Sequence, residues 1–356
     1  MKVTVLSGGF APVGGVESFL VDLLSAVSAQ GIESEIYCWD GAVPRPNPLL
    51  RELATRGVRV YRSPWRWGCR WSWPDKLLLA HASDAILDTD VVLFGKPLPA
   101  TIHRRLAGRR GSNRSPRFIL VTPYRPAEMW PTPPDARFLT SFDGIAVQAP
   151  SFGADLRSLG YHGPISVLPY IPPPCTPVAP LPFGPLRIGF LGRFAAQKNL
   201  PYLLHAFRAL LLRRPAILNL YGDGPERNTV SDLAFRLGIQ STVRFCGLLA
   251  PADVPAAIDS CSLFAFTSTT EGQCLAALQI LARGRPLVAT PVGAFPEMLD
   301  DPRLGRIAPL ERPEDYADAL LAVADRQAAP SEVQHLYASR FDRRRIIDSY
   351  ISLLSN

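Results

Sequence analysis

Three short stretches carry residue types and spacings suited to a negatively charged, hydroxylated ligand. Gly192-Arg193-Phe-Ala-Ala-Gln-Lys198 places a glycine, where backbone can come close to a ligand, ahead of two cations five residues apart. Arg193 offers a planar fork of donors and Lys198 a compact charge, a pair that fits a diphosphate. Lys198 is one of four lysines, with Lys2, Lys76 and Lys96, in a chain whose other 34 basic residues are arginine. In Ser268-Thr-Thr-Glu271-Gly272-Gln273-Cys274-Leu275, an acid and a glycine precede a helical pattern that carries Gln279 eight residues after Glu271. Free N–H groups at that helix start, at Gln273, Cys274 and Leu275, can hold sugar or phosphate oxygens. Gly14-Gly15-Val-Glu17 opens the first helix in the same manner. Each stretch also has a plain reading: solvated cations in a surface loop, an acid in a first helical turn complementing the dipole, a tight glycine turn.

The elements around these loops alternate in type. Val3–Leu6 reads as a buried strand and Val16–Ala29 as an amphipathic helix with Val16, Phe19, Leu20, Leu23, Leu24 and Val27 on one face. Further strands are expected at 35–38, 58–61, 91–94, 118–122, 144–147 and 165–168. The second half repeats the rhythm. Strands are expected at 186–191, 217–221, 243–245, 263–266 and 286–289, with helices over 202–213, 227–237, 254–259 and 274–282. Such alternation predicts parallel sheets covered on both faces. Between the halves, seven of the fourteen residues from Pro172 to Pro185 are proline, a density that neither helix nor inner strand tolerates. The expected organisation is a doubly wound α/β domain over 1–171, a stiff linker over 172–185 and a second doubly wound domain over 186–340. A last helix, about 341–356, returns to the first domain. Two Rossmann-like domains facing a central cleft follow from this reading.

Composition narrows the function classes. The chain has 356 residues, 47% of them hydrophobic, with a net charge of +7. That length suits two cores, and the basic surplus suits an anionic partner without choosing one. No 18-residue uncharged apolar run and no secretory leader pattern is present, so a cytoplasmic protein, either soluble or peripheral at the inner face of the membrane, is expected. Cys38, Cys69, Cys175, Cys246, Cys261 and Cys274 are scattered without metal-ligand spacing, so neither a metal site nor a disulfide framework is expected. Asp88-Thr-Asp90 has the shape of a metal-binding pair but precedes a strand, which favours a helix end. Trp65-Arg-Trp67-Gly-Cys-Arg-Trp71-Ser-Trp73 puts four tryptophans on one face of an alternating segment, read as packing under a loop, as a peripheral membrane contact or as an acceptor platform.

In their order along the chain, Gly192-Arg193…Lys198, Gly222-Asp-Gly-Pro225, Val243-x-Phe245-x-Gly247, Ser268-x-x-Glu271-Gly272 and Arg283-Gly-Arg-Pro…Glu297 resemble family 4 of the GT-B glycosyltransferases. These are retaining enzymes that use nucleotide sugars. Gly14-Gly15-x-Glu17 and Val167-Leu-Pro169 extend the resemblance more loosely into the first half. The resemblance implies a metal-independent transferase moving a sugar from a UDP- or GDP-sugar to a hydroxyl of a glycan, a lipid-linked glycan or a metabolite, with no bound cofactor and no nucleic acid partner. It implies that Arg193 and Lys198 neutralise the departing diphosphate and that Glu271 sits beside the donor sugar. Gly192, Gly272, Gln273, Cys274 and Leu275 then meet the donor through backbone, Gly15 approaches its phosphate, and Gly222 with Phe245 lines the base. Glu17, Tyr124 and Arg125 fall on the acceptor side. Two positions depart from the family pattern. Gln279 stands where a second acid contacts the ribose, and Val121-Thr-Pro-Tyr124-Arg125 stands where a histidine often follows a strand. They raise a second reading, a catalytically weakened sugar-nucleotide-binding partner subunit. A nicotinamide-dependent oxidoreductase fits poorly, because the first turn lacks G-x-G-x-x-G.

Overall fold

The computed structural model describes residues 1–7, 10–11, 14–38, 47–62, 85–95, 103, 106–108, 116–126, 136–326 and 328–356. The Trp65–Trp73 segment lies outside these residues. The chain divides into two compact units, Met1–Ile171 with Arg344–Asn356, and Pro172–Arg343.

In the first unit, the described strands are β1 Lys2–Ser7, β2 Glu33–Cys38, β3 Arg59–Arg62, β4 Val91–Phe94, β5 Arg117–Val121, β6 Gly144–Val147 and β7 Ile165–Val167. They pair in parallel in the order β3-β2-β1-β4-β5-β6-β7. The inner strands are apolar on both faces because helices cover both, as a parallel sheet requires; every residue of β4 and β6 is buried. Helix Gly15–Ala29 buries Phe19, Leu20, Leu23, Leu24 and Val27. The C-terminal helix Arg343–Ser355 buries Ile346, Tyr350 and Leu354. Tyr350 lies 5.4 Å from the Phe19 ring and donates its hydroxyl to Leu168 O at 3.0 Å. Arg117 bonds the carbonyls of Leu353 and Leu354 at 3.2 and 3.3 Å, neutralising part of the negative helix end. Asp90 accepts the Lys2 backbone N–H at 2.8 Å, and Asp88-Thr-Asp90 follows a short helical turn, the helix end expected there.

In the second unit, β8 Leu186–Leu191, β9 Ala216–Tyr221, β10 Val243–Gly247, β11 Leu263–Phe266, β12 Leu287–Ala289 and β13 Gly305–Ile307 pair in parallel in the order β10-β9-β8-β11-β12-β13. Both sheets thus reverse direction beside their first strand, the doubly wound α/β arrangement. The sequence reading misses β13 and the helices Pro313–Arg326 and Pro330–Arg340 that follow it. β13 is three residues long and half exposed, too short to show a period. The buried Tyr316 hydroxyl donates to Val288 O at 2.7 Å and accepts the Phe266 N–H at 3.1 Å, fastening helix Pro313–Arg326 to β11 and β12.

The proline-rich segment differs from a free linker. It carries no helix or strand, yet it belongs to the second unit. The cause is Arg285, 0% exposed, whose guanidinium donates to Ala179 O at 3.0 Å, Pro180 O at 2.9 Å, Cys261 O at 2.9 Å and Asp259 O at 3.1 Å. The proline-rich segment leaves its carbonyls without a strand partner, and one buried guanidinium satisfies two of them, at Ala179 and Pro180, along with those of Asp259 and Cys261. Arg285→Met is expected to lower unfolding stability by about 2–4 kcal/mol and to speed proteolytic cleavage within 172–185. Denaturant melts and timed proteolysis check this, and unchanged cleavage would show that Arg285 does not hold the segment.

Candidate functional site

In open α/β sheets, the loops after two strands at the reversal point splay apart and leave a crevice at the strands' carboxyl ends. In the second unit that point lies between β8 and β11, which pair through Leu263 with Ile188 and Phe264 with Gly189. The loops that follow them are 192–199 and 267–274, two of the stretches the sequence singles out.

The structure brings their charged residues together. Lys198 Nζ lies 2.5 Å from Glu271 Oε1, and the two side chains are 16% and 7% exposed. Ser268 Oγ donates to the same carboxylate oxygen at 2.7 Å. Glu271 precedes the helix, and its carboxylate is held by Lys198 and Ser268, so it is not a first-turn helix acid. The helix itself starts one residue later than expected, at Leu275, because Cys274 has φ 55° and cannot be helical. The Gln273 and Cys274 amides therefore belong to the turn ahead of the helix, and Gln273 is buried. Burial, followed by the charge of Glu271, pushes the Cys274 thiol up to about 12.

Backbone contacts fix this pair. Thr267 Oγ1 donates to the carbonyls of Lys198 and Asn199, both at 3.1 Å, and Thr269 N donates to Gln197 O at 2.8 Å. Thr290 Oγ1 donates to Ser268 O at 2.6 Å, and Ala294 N donates to Gly272 O at 3.0 Å. Gly293, at φ 57°, packs so closely under the turn that a Cβ there would collide with Gly272 O and meet Glu271 O at 2.6 Å. Thr267, Ser268, Thr290 and Gly293 are the positioning residues the sequence reading leaves without a role; Pro291-Val-Gly293-Ala is the signal that a tight turn sits there.

The neighbouring loops interlock with the first. Gly192 N donates to Tyr221 O at 3.0 Å, Gly222 N to Gly247 O at 2.8 Å, and Phe194 N to Asp223 O at 2.9 Å. At Gly222, φ is 134° and a Cβ would collide with the Gly192 carbonyl, so only glycine lets these loops meet. Phe245 stands 6.3 Å from the Phe194 ring, with the Arg227 guanidinium 5.4 Å above it. Arg193 is exposed and has no ion pair among the described residues.

Other predicted residues lie apart from this cluster. Gln279 is exposed on helix Leu275–Ala282, and no bond joins it to the Glu271 turn among the described residues. Gly15, Glu17, Tyr124 and Arg125 belong to the first unit. Gly15 begins its helix with no side-chain cap at Gly14. The buried Glu17 carboxylate folds back over that start, 3.4 Å from the Ala11 N–H. Tyr124 is 38% exposed. Arg125 is clamped to Asp155 through two bonds of 2.7 and 3.1 Å, so its charge is spent within the unit. The described histidine nearest the missing motif, His103, is buried against Phe142, 4.3 Å between ring centroids, as a core residue.

Comparison with known proteins follows the same division. Residues 185–326 match the family described as glycosyl transferases group 1. The match covers less than half of the chain. The D-inositol 3-phosphate glycosyltransferase of Saccharomonospora viridis is 32% identical over 186 residues, which are 49% of this chain and 43% of that protein. The chain thus matches less than half the length of that relative. Two solved structures share the fold over nearly the whole chain. One is the lipopolysaccharide outer core galactosyltransferase WaaB in its apo form, with TM-score 0.78, 17% identity and 98% of each chain covered. The other is HepE of Anabaena in complex with UDP, with TM-score 0.75, 17% identity and 100% of each chain covered. The chain has the GT-B fold, two Rossmann-like domains, each on a parallel sheet.

Two outcomes check the site geometry. Gly293→Ala is expected to destabilise the unit by about 2–4 kcal/mol, because its new Cβ must displace backbone at a left-handed position; a melting temperature equal to wild type would contradict the packing described. A thiol raised to about 12 stays protonated at pH 8, so iodoacetamide mapped by mass spectrometry is expected to reach the exposed Cys175 and Cys246 well before Cys274.

Proposed function

We propose that this chain is a retaining glycosyltransferase that binds a nucleoside-diphosphate sugar in its second unit and passes the sugar to an acceptor hydroxyl without a metal ion. The observation that carries the reading is the Lys198–Glu271 contact, 2.5 Å long and largely buried at the reversal point of a group 1 glycosyl transferase domain. An ammonium has three donors, so Lys198 can keep Glu271 and still reach a phosphate oxygen. With Arg193 it supplies positive charge where the diphosphate gains negative charge on leaving, and a fixed cation in a water-poor site stabilises that change more than solvent does. The Glu271 carboxylate keeps its second oxygen for a donor-sugar hydroxyl. Amides at Gly272 and Gln273, beside it, can hold other sugar oxygens. Phe245 under Arg227 offers a flat surface to the base. The UDP bound by HepE supports a nucleoside diphosphate as the ligand class. The departing diphosphate takes the acceptor proton, so no second carboxylate is needed as a base. The acceptor is a glycan, a lipid-linked glycan or a metabolite, and the chain works at the cytoplasmic side of the membrane.

A thermal-shift screen against UDP, GDP and ADP and their sugars is expected to give one strong responder, since a ligand at a hundred times its Kd stabilises by about 2.7 kcal/mol. With that donor, Lys198→Ala and Glu271→Ala are each expected to lower kcat at least ~100-fold. Wild-type rates in both variants would sink the assignment.

A further inference from the structure

Beside the last strand of the second unit's sheet, a cavity of about 190 Å³ lies between β13 and helix Pro313–Arg326. Pro302, Gly305 and Arg306 line it from the strand side, and Ala322, Val323 and Arg326 from the last turns of the helix. It sits at the amino end of β13, whereas the loops of Lys198 and Glu271 follow the carboxyl ends of β8 and β11.

Two guanidiniums border this cavity, and among the described residues neither has an ion pair or a hydrogen bond. They are exceptions. Every other arginine from 283 to 343 holds a carboxylate or a carbonyl. The acids next in sequence to the cavity are taken by cations outside it: Asp325 by Arg214 at 2.8 Å, Asp301 by Arg303 at 2.7 and 3.0 Å, and Asp300 by Arg340. The backbone adds a donor. Leu287 N–H bonds Leu304 O and Ala308 N–H bonds Ala289 O, both at 2.9 Å, so alternate residues of β13 turn to β12 and the Gly305 N–H turns to the open edge. Gly305 is buried, and a buried N–H needs an acceptor, which β12 does not supply here.

We propose that this cavity binds a phosphate group, with Arg306 donating from the strand, Arg326 from the helix and Gly305 from the backbone. A space of this size holds several waters, or one tetrahedral oxyanion in their place. One planar fork saturates the two oxygens of a carboxylate, whereas a phosphate dianion keeps further oxygens for a second fork. Complementing the negative end of its own helix would be the ordinary role of Arg326, and that role does not involve Arg306. Soluble phosphate monoesters and phospholipid headgroups share the chemistry. The inference stands apart from the donor reading, which rests on loops 192–199 and 267–274.

The test uses the full chain in low-salt buffer. Calorimetry with inorganic phosphate and glycerol 3-phosphate, and with acetate at matched ionic strength, is run on wild type, Lys198→Ala, Arg306→Gln and Arg326→Gln. Wild type is expected to show one saturable phosphate site, retained in Lys198→Ala, weakened about tenfold or more in each arginine variant, and without response to acetate. No saturable site in wild type, or wild-type affinity in both arginine variants, would overturn the inference, as would loss in Lys198→Ala alone. Without phosphate, both arginine variants are expected to melt with wild type, since neither side chain makes a bond to lose. A lower melting temperature for Arg326→Gln with unchanged phosphate affinity marks a helix-end cation and also overturns the proposal. Sedimentation with phosphatidylcholine vesicles, with and without phosphatidic acid, separates the sources. Binding to the acidic vesicles that both arginine variants lose assigns a lipid headgroup; phosphate binding without vesicle binding assigns a soluble monoester. UDP thermal shifts report the donor site by themselves: a response kept in the arginine variants leaves the two readings independent, and one lost with Arg306→Gln would overturn the separate site.

Discussion

The candidate site depends on one pairing, that of β8 with β11. Side by side and parallel, they start loops 192–199 and 267–274 next to each other, and the two loops stay bonded through Thr267, Thr269 and Lys198. Two residues 73 apart in sequence, Lys198 and Glu271, meet because of that geometry. The cation and the acid are in direct contact and largely buried, with Ser268 bonded to the same carboxylate oxygen.

Loops that carry such a pair need to be stiff, because two charges held at the wrong distance gain little from each other. Stiffness here comes from backbone bonded to backbone and from short hydroxyl side chains, Thr267, Ser268 and Thr290, which lose little rotamer freedom on being fixed. Close approach then restricts composition. Gly222 and Gly293 lie where any Cβ would strike a neighbouring carbonyl, so the glycines are a consequence of the loops' density. Arg285 applies the same economy below the site, tying the proline-rich segment to the end of β11's preceding loop.

The two sheets share a strand order but differ in how polar groups at their carboxyl edges are satisfied. In the second unit the side chains of the site bond one another: Lys198, Glu271 and Ser268 form a connected set. In the first unit the Gln148 amide is buried without a hydrogen-bond partner among the described residues.

The sequence determined the alternation of strands and helices, because periodicity of apolar residues reports which faces are buried, and it determined the break at the proline run, because proline excludes both ladder types. It also marked Arg193, Lys198 and Glu271, since charged residues after apolar strands stand out against a buried background. Tertiary structure decided what those residues touch. Strand order, which no local pattern encodes, placed Lys198 against Glu271 and left Gln279 on an exposed helix face. The φ of Cys274 moved the helix start by a residue because the turn packs on Gly293, a contact far along the chain.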